Sequence, residues 1–276
     1  VWNTIAAEEV TVLVIVGDAF GRPLADALDR TPDRWDLGQL LVVVSGGATL
    51  CPTVRQDLLR HLPGTVLVDG YGTSETGGQG LMPVWPGQTG SPLPRFNVDG
   101  DTAVLDDAGH PAAPGSGVTG RLARRGRLPI GYHGDPERTA NTFPVIDGVR
   151  WAIPGDLGRI EADGSVTLLG RGGSSINSGG EKVFPDEVEA VLRAHADVFD
   201  AMVVGVPNPR WGQEVTAVVV LRPDRSTDPN DLIAHCRTRL ARFKAPRRVV
   251  LVPDLHRKPS GKPDIAWAEA VAARPT

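Results

Sequence analysis

Four short segments combine residue types that could hold and activate a nucleotide. Asp69-Gly-Tyr-Gly-Thr-Ser-Glu75-Thr-Gly-Gly sets a flat ring, a hydroxyl and a carboxylate among glycines. Glycine lets the backbone approach a ligand closely. Tyr71 offers a face to a base, Ser74 a hydroxyl to a phosphate oxygen, and Glu75 a hard oxygen ligand to magnesium. A glycine-rich loop with a solvated glutamate would look the same, and spacing alone does not choose between the two. Farther on, Gly155-Asp156-Leu-Gly158 places a carboxylate between glycines, with Arg171 fifteen residues later. An aspartate accepting from two ribose hydroxyls beside an arginine fork is a workable nucleoside grip, although each alone is also an ordinary turn aspartate and a surface arginine. Ser178-Gly179-Gly180-Glu-Lys182 joins a flexible glycine pair to Pro185-Asp186-Glu187, whose carboxylates suit the positive end of a helix.

Arg257-Lys258-Pro259-Ser260-Gly261-Lys262 puts a lysine at a loop tip. A loop lysine is usually a solvated charge. This chain, however, carries four lysines against 25 arginines, which makes each lysine an unusual choice. The run Gly115 to Gly120 matches GxGxxG but precedes a strand where a dinucleotide loop should follow one, so it reads as a turn. No GxxxxGK[ST], HExxH or GxSxG is present.

These segments need elements to position them. Thr11–Val16, Leu41–Ser45 and Thr65–Asp69 read as strands, separated by helical patterns at Arg22–Leu28 and Pro52–His61. Such alternation implies a parallel sheet with ligands at the carboxyl ends of its strands, where Ser45-Gly46-Gly47-Ala48 and Gly70-Tyr71-Gly72 fall. From about Phe96 to Leu169, short strands at 102–105, 120–124, 151–153, 157–161 and 166–169 predict a small, mostly antiparallel sheet or barrel. After Gly170 the pattern becomes a compact α+β unit. Helices are expected at Pro185–Ala194, Asp228–Phe243 and Asp264–Ala273, and strands at Ala201–Val206, Val215–Leu221 and Val249–Val252. The predicted division is 1–95, 96–171 and 172–276.

Composition narrows the function classes. The chain has 276 residues, with 29 Lys+Arg against 33 Asp+Glu, and this slight acidity gives no support for nucleic-acid binding. Its apolar runs are far shorter than the roughly 18 residues a membrane span needs. Two cysteines, Cys51 and Cys236, make neither a CxxC pair nor a zinc framework and fit a reducing, cytoplasmic setting. Val1 opens the chain with no secretory pattern, which reads as a trimmed start.

In order and spacing, six blocks resemble the adenylate-forming superfamily of acyl-CoA synthetases, adenylation domains and luciferases: Ser45–Leu50, Gly70–Thr76, Gly155–Gly158, Gly170–Glu189, Val203–Glu214 and Pro259–Lys262. Within it the chain is most similar to actinobacterial fatty-acyl-CoA ligases, including those for sterol side-chain carboxylates. Val14-Ile-Val-Gly-Asp-Ala, Ala152-Ile-Pro-Gly-Asp, the run from Ser175 to Pro185 and Gly261-Lys-Pro-Asp carry that placement. The resemblance implies the second α/β lobe of an AMP-binding domain, a small β-barrel-like subdomain and a mobile α+β C-terminal domain. It implies attack of a carboxylate on the α-phosphate of ATP with magnesium, then displacement of AMP by coenzyme A. In these roles Tyr71 and Gly72 would hold adenine, Ser74 the α-phosphate, Glu75 magnesium, and Asp156 with Arg171 the ribose. Lys262 would bridge carboxylate and phosphate in the first step. The small domain would then turn about the residue after Arg171, bringing Ser178, Gly179, Gly180 and Lys182 to the thiol's approach. Gly17, Asp18, Gly46, Gly47 and Ala48 would border the acyl pocket.

The sequence departs from the family in three places. Ser74 stands where threonine is usual, which keeps the hydroxyl, and Gly173 carries neither hinge aspartate nor hinge lysine. The Ser/Thr/Gly-rich loop ending in Pro-Lys-Gly, which orients the outer phosphates, does not occur. The expected partners are therefore a small carboxylic acid, ATP and coenzyme A, with a second copy or a chain supplying the missing lobe. Loading of a carrier protein and non-catalytic nucleotide binding remain as alternatives.

Overall fold

The computed structural model describes residues 1–88, 93–258 and 262–274. It resolves into two compact units, Val1–Gly172 and Gly173–Thr276.

The first unit is built on one nine-stranded sheet. Helix α1 (Trp2–Ala7) leads into β1 (Val12–Ile15), α2 (Gly17–Arg30), β2 (Val42–Gly46), α3 (Pro52–His61) and β3 (Val66–Thr73). Strands β1, β2 and β3 run parallel, with Val14 opposite Val44 and Val44 opposite Val68. Alternate residues Val43, Leu67 and Ile15 bury under the helices against Val54, Leu58 and Leu50. Helix α2 starts five residues before its sequence pattern predicts, because Pro23 lies inside it and masks its first turns.

Strands β4 (Gly77–Val84) and β5 (Arg95–Val98) then turn the sheet antiparallel. Neither was legible in the sequence, since Gly77, Gly78, Gly80 and Pro83 read as turn residues. They matter because β11 (Val166–Arg171) pairs with β5, and the order continues through β10 (Asp156–Ile160), β7 (Thr119–Arg124) and β6 (Thr102–Leu105). The expected barrel-like subdomain is thus corrected: its strands extend the same sheet, and no closed barrel forms among the described residues. Helix α4 (Pro136–Thr142) and a ribbon of β8 (Val145–Ile146) and β9 (Val149–Arg150) fill the segment between β7 and β10. Residues 151–153, expected as a strand, contribute only an isolated bridge of Ala152 with Arg124.

In the second unit β12 (Ile176–Ser178) and β13 (Glu181–Val183) form a hairpin beside β15 (Gly212–Leu221) and β14 (Val198–Asn208), and β16 (Arg248–Leu251) joins β15 in parallel. The continuous apolar run of β14 is explained by burial on both faces. Ala201 and Val203 face α5 (Pro185–Arg193) and α6 (Pro229–Arg237) through Val188, Leu192 and Leu232. Met202 and Val204 face α7 (Ile265–Ala272) through Ala268 and Val271. Helix α6 ends six residues before the expected Phe243. Its C-cap Thr238 turns its hydroxyl onto the His235 carbonyl, and Leu240 and Phe243 join the core from the turns that follow.

Candidate functional site

The carboxyl ends of β1, β2 and β3 carry the glycine-rich loops, and a buried polar layer lies beneath them. Ser45 Oγ accepts from the Gly17 amide at 3.3 Å, and the Asp18 amide donates to the Thr49 carbonyl at 3.0 Å. Asp18 Oδ1 accepts from the Cys51 amide at 2.7 Å, so this carboxylate ties the start of α2 to the start of α3. Gly46 lies opposite Gly70, and a side chain there would sit 3.3 Å from the Gly70 carbonyl oxygen. Gly47 is exposed with φ of 78°, and Ala48 completes the loop half-buried. Below them Asp69 is buried, and burial raises its carboxyl from 3.8 to about 7 against the opposing pull of Arg55.

Tyr71, Asp156 and Arg171 converge although 85 residues separate the first two. The Tyr71 hydroxyl donates to Asp156 Oδ2 at 2.9 Å, and Arg171 Nε lies 3.5 Å from Oδ1. Sheet register explains the second contact, since Asp156 and Arg171 are partners across β10 and β11. Tyr71 packs one side against Phe96, with ring centroids 5.5 Å apart. Burial, and then the adjacent Asp156 charge, push the Tyr71 hydroxyl well above the usual phenol range, so it remains a donor. Asp156 keeps lone pairs beyond the one that Tyr71 takes, and Arg171 stays largely exposed beside it. Gly72 is required by geometry, because a Cβ would lie 2.3 Å from the Gly77 carbonyl oxygen.

In the loop from β3 to β4, Ser74 is exposed and Glu75 is half-buried. The Tyr132 hydroxyl donates to Glu75 Oε1, and Arg138 lies 4.0 Å from the same oxygen while its guanidinium covers the Tyr132 ring at 3.9 Å. The Tyr132 hydrogen bond chiefly holds the Glu75 carboxyl below the usual range, so it is ionised at neutral pH. Tyr132 and Arg138 escaped the sequence reading. The available signal was rarity, since the chain has two tyrosines and both stand at this site. A magnesium ion fits this chemistry with Glu75 as one oxygen ligand. No group of three or more His, Cys, Asp or Glu gathers among the described residues, so the remaining ligands would be phosphate oxygens and water. Gln79 occupies a bulge where β4 slips against β3, and its amide atoms are buried without a hydrogen-bond partner.

In the second unit Gly179 and Gly180 make the two-residue turn of the β12–β13 hairpin, with φ of 64° and 88°. The Gly179 amide donates to the Trp211 carbonyl at 2.9 Å. Arg210 and Arg247 lie over the Trp211 ring at 4.6 and 4.1 Å. Ser178 is buried, and Lys182, opposite Asn177, is exposed. Lys262 is exposed as well, and its carbonyl accepts from the Lys258 amide at 2.9 Å. Pro259, Ser260 and Gly261 lie outside the described residues.

The structure therefore brings Tyr71, Asp156 and Arg171 into direct contact and sets Glu75 on a separate Tyr132–Arg138 platform. A mixed α/β sheet that sets a Tyr–Asp–Arg group and glycine-rich loops at its strand ends places the chain in the α/β class whose ligands bind at that edge. Sequence profiles describe it further: that of the AMP-binding enzymes matches residues 1–131, and that of the AMP-binding enzyme C-terminal domain matches 187–262. The chain belongs to the AMP-binding enzyme family. It is 49% identical over 276 residues to a medium/long-chain-fatty-acid–CoA/3-oxocholest-4-en-26-oate–CoA ligase of Mycobacterium marinum, covering 100% of this chain and 50% of that protein. It is 45% identical to the 3-oxocholest-4-en-26-oate–CoA ligase of Rhodococcus rhodochrous, covering 98% of this chain and 49% of that protein. Among solved structures, the amide bond synthetase McbA of Marinactinospora thermotolerans superposes with a TM-score of 0.81 at 31% identity, over 98% of this chain and 53% of McbA. The chain thus spans about half the length of the curated relatives it matches.

Proposed function

We propose that this chain carries the adenosine-binding and thiol-facing parts of an AMP-forming acid:thiol ligase acting on a fatty or sterol-derived carboxylic acid. The observation that carries the reading is the buried contact of Tyr71 with Asp156, which leaves a carboxylate and the Arg171 guanidinium side by side at the sheet edge. On this reading residues 1–95 are the α/β lobe of the AMP-binding domain, 96–171 its β extension, and 172–276 the C-terminal domain.

Each residue then has a chemical task. Asp156 accepts the ribose hydroxyls of ATP, with Arg171 adding charge beside them. Tyr71 and Gly72 border the adenine, and Ser74 donates to the α-phosphate. Glu75 would hold a magnesium ion, which when bound neutralises phosphate charge. Lys262 places its ammonium where negative charge gathers as the carboxylate oxygen attacks the α-phosphorus and pyrophosphate departs. In the second step the sulfur of coenzyme A attacks the acyl carbon and AMP leaves. The Gly179–Gly180 turn, free of side chains, lets the thiol pass close to the backbone. Gly17, Gly46, Gly47 and Ala48 border the acyl chain, with Asp18 holding their loops together.

The Pro-Lys-Gly phosphate loop does not occur in this sequence, so residues 1–276 alone turn over slowly or not at all, and full activity needs a polypeptide that carries that loop. Two free, buried cysteines support a reducing, cytoplasmic setting. Isothermal titration with a decanoyl-sulfamoyl adenosine analogue tests nucleoside and acyl grip without turnover. The expected result is one site per chain, lost in Asp156→Ala. No heat of binding from the folded chain would overturn the reading.

A further inference from the structure

The second unit holds a buried ionic cluster that the tasks above do not use. Glu189 and Arg193, one turn apart on α5, pair at 2.9 Å, and Arg193 Nε reaches Asp200 Oδ1 at 2.9 Å. Asp200 lies where β14 slips register against β15, and its second oxygen forms an ion pair with Arg257. Backbone groups complete the set. The Val203 amide donates to Glu189 Oε1 at 2.9 Å, the Ala201 amide to Asp200 Oδ1 at 2.8 Å, and Arg193 Nη2 to the Ala201 carbonyl at 2.7 Å. Two carboxylates and two guanidiniums meet within the unit, and burial raises the Glu189 carboxyl from 4.5 to about 7 against the pull of Arg193. Burial works against the Asp200 charge, but Arg193 and Arg257 together hold its carboxyl below the usual range.

A buried charge cluster stabilises a fold little compared with apolar packing of the same volume, and its better attested use is to specify a geometry. Here the geometry is that of the stalk bearing Lys262. Arg257 bridges to Pro263 across the stalk, and the Lys258 amide bonds the Lys262 carbonyl. One residue before, His256 stacks on Trp267 at 4.4 Å, and its carbonyl accepts from the Asp264 amide at 3.2 Å. Leu255 roots the stalk in the core beneath α7. The apolar and stacking contacts fix where the stalk leaves the unit. Among the described residues, the Arg257 ion pair ties the stalk, just below the Lys258–Lys262 hydrogen bond, to β14.

We propose that the Asp200–Arg257 ion pair is a positioning device that holds Lys262 for the adenylate-forming step and is not needed for the thioester-forming step. This rests on the ligase reading of Lys262. The test compares Arg257→Gln, Arg257→Lys and Asp200→Asn with the parent chain. The first readout is amide hydrogen exchange by NMR. In Arg257→Gln and Asp200→Asn the Lys258 amide should exchange about tenfold faster or more, while Val218 in the middle of β15 stays protected. Arg257→Lys, which keeps the charge but not the fork, should fall between them and the parent. The second readout separates the half-reactions. Acid-dependent exchange of pyrophosphate into ATP should fall about tenfold to a hundredfold, as expected of a displaced catalytic group. Thioester formation from supplied acyl-adenylate and coenzyme A should stay within about twofold. Unchanged Lys258 exchange, or equal loss of both half-reactions, overturns the proposal. If the parent chain catalyses neither half-reaction, as expected without the phosphate loop, Lys258 exchange alone decides whether the tether exists, and the ligase reading stands or falls on the analogue titration described above. Should Arg257→Gln unfold, Arg257→Lys carries the same comparison.

Discussion

A single phenol hydroxyl does most to hold the Glu75 carboxyl below its ordinary value. The Tyr132 hydroxyl bonds the ionised carboxylate and holds its pKa below the ordinary 4.5. A carboxyl lowered on folding adds stability above its unfolded pKa and loses that stability as pH falls through the folded value. Tyr132→Phe should therefore cost about 1 kcal/mol in urea denaturation at neutral pH. The difference from the parent should shrink as pH falls below 4.5 and vanish once pH has passed the lowered folded value. An equal loss at both pH values would show that the ring, not the hydroxyl, matters. The same residue shows the limit of reading a site from a linear chain. Glu75 was legible because its own loop announces it with Tyr71 and Ser74. Tyr132 and Arg138, from a different part of the chain, become meaningful only when the fold brings them to Glu75, 57 residues from Tyr132. Nothing local to residues 130–138 marks them beyond the scarcity of tyrosine.

At the scale of elements, the β3–β4 hairpin shows why some glycines are obligatory and others are not. A Cβ on Gly72 would meet the Gly77 carbonyl oxygen at 2.3 Å, whereas one on Gly78 meets nothing within 4 Å. Gly72→Ala should destabilise the chain by about 1 to 3 kcal/mol, the usual cost of forced overpacking. Gly78→Ala should be close to neutral in the same thermal unfolding experiment, and a reversed order would contradict the hairpin's geometry. The parallel strands β1 to β3, with helices between them, were legible because β-branched runs and amphipathic turns alternate there. Strands β4 and β5 were hidden by glycine and proline, so the antiparallel strands that follow read as a subdomain of their own, sheet or barrel, where they extend the first sheet without closing. The β12–β13 hairpin was hidden in the same way. Its residues looked like a helix approach, and the paired positive φ of Gly179 and Gly180 shows only in three dimensions.

Across the whole molecule, the division after Gly172 falls between two sets of cores. The second unit packs both faces of its own sheet, with Val203 and Leu232 on one side and Met202 and Ala268 on the other. Residues 173–276 expressed alone should therefore unfold in one cooperative thermal transition, followed by circular dichroism. A broad melt with no baseline would show that this unit depends on the first. The first unit differs, because Val12, Val14 and Leu81, on one face of β1 to β4, remain more than half exposed. Parallel strands are ordinarily buried on both faces, and this face departs from that rule. The second unit also has an optical property. Of the six tryptophans, two belong to it: Trp211, whose carbonyl holds Gly179, and Trp267, stacked under His256. Indole emission responds to a neighbouring imidazole or guanidinium. The isolated unit is therefore labelled by nature at its glycine turn and at the Lys262 stalk, and its fluorescence spectrum reports on both without any added dye.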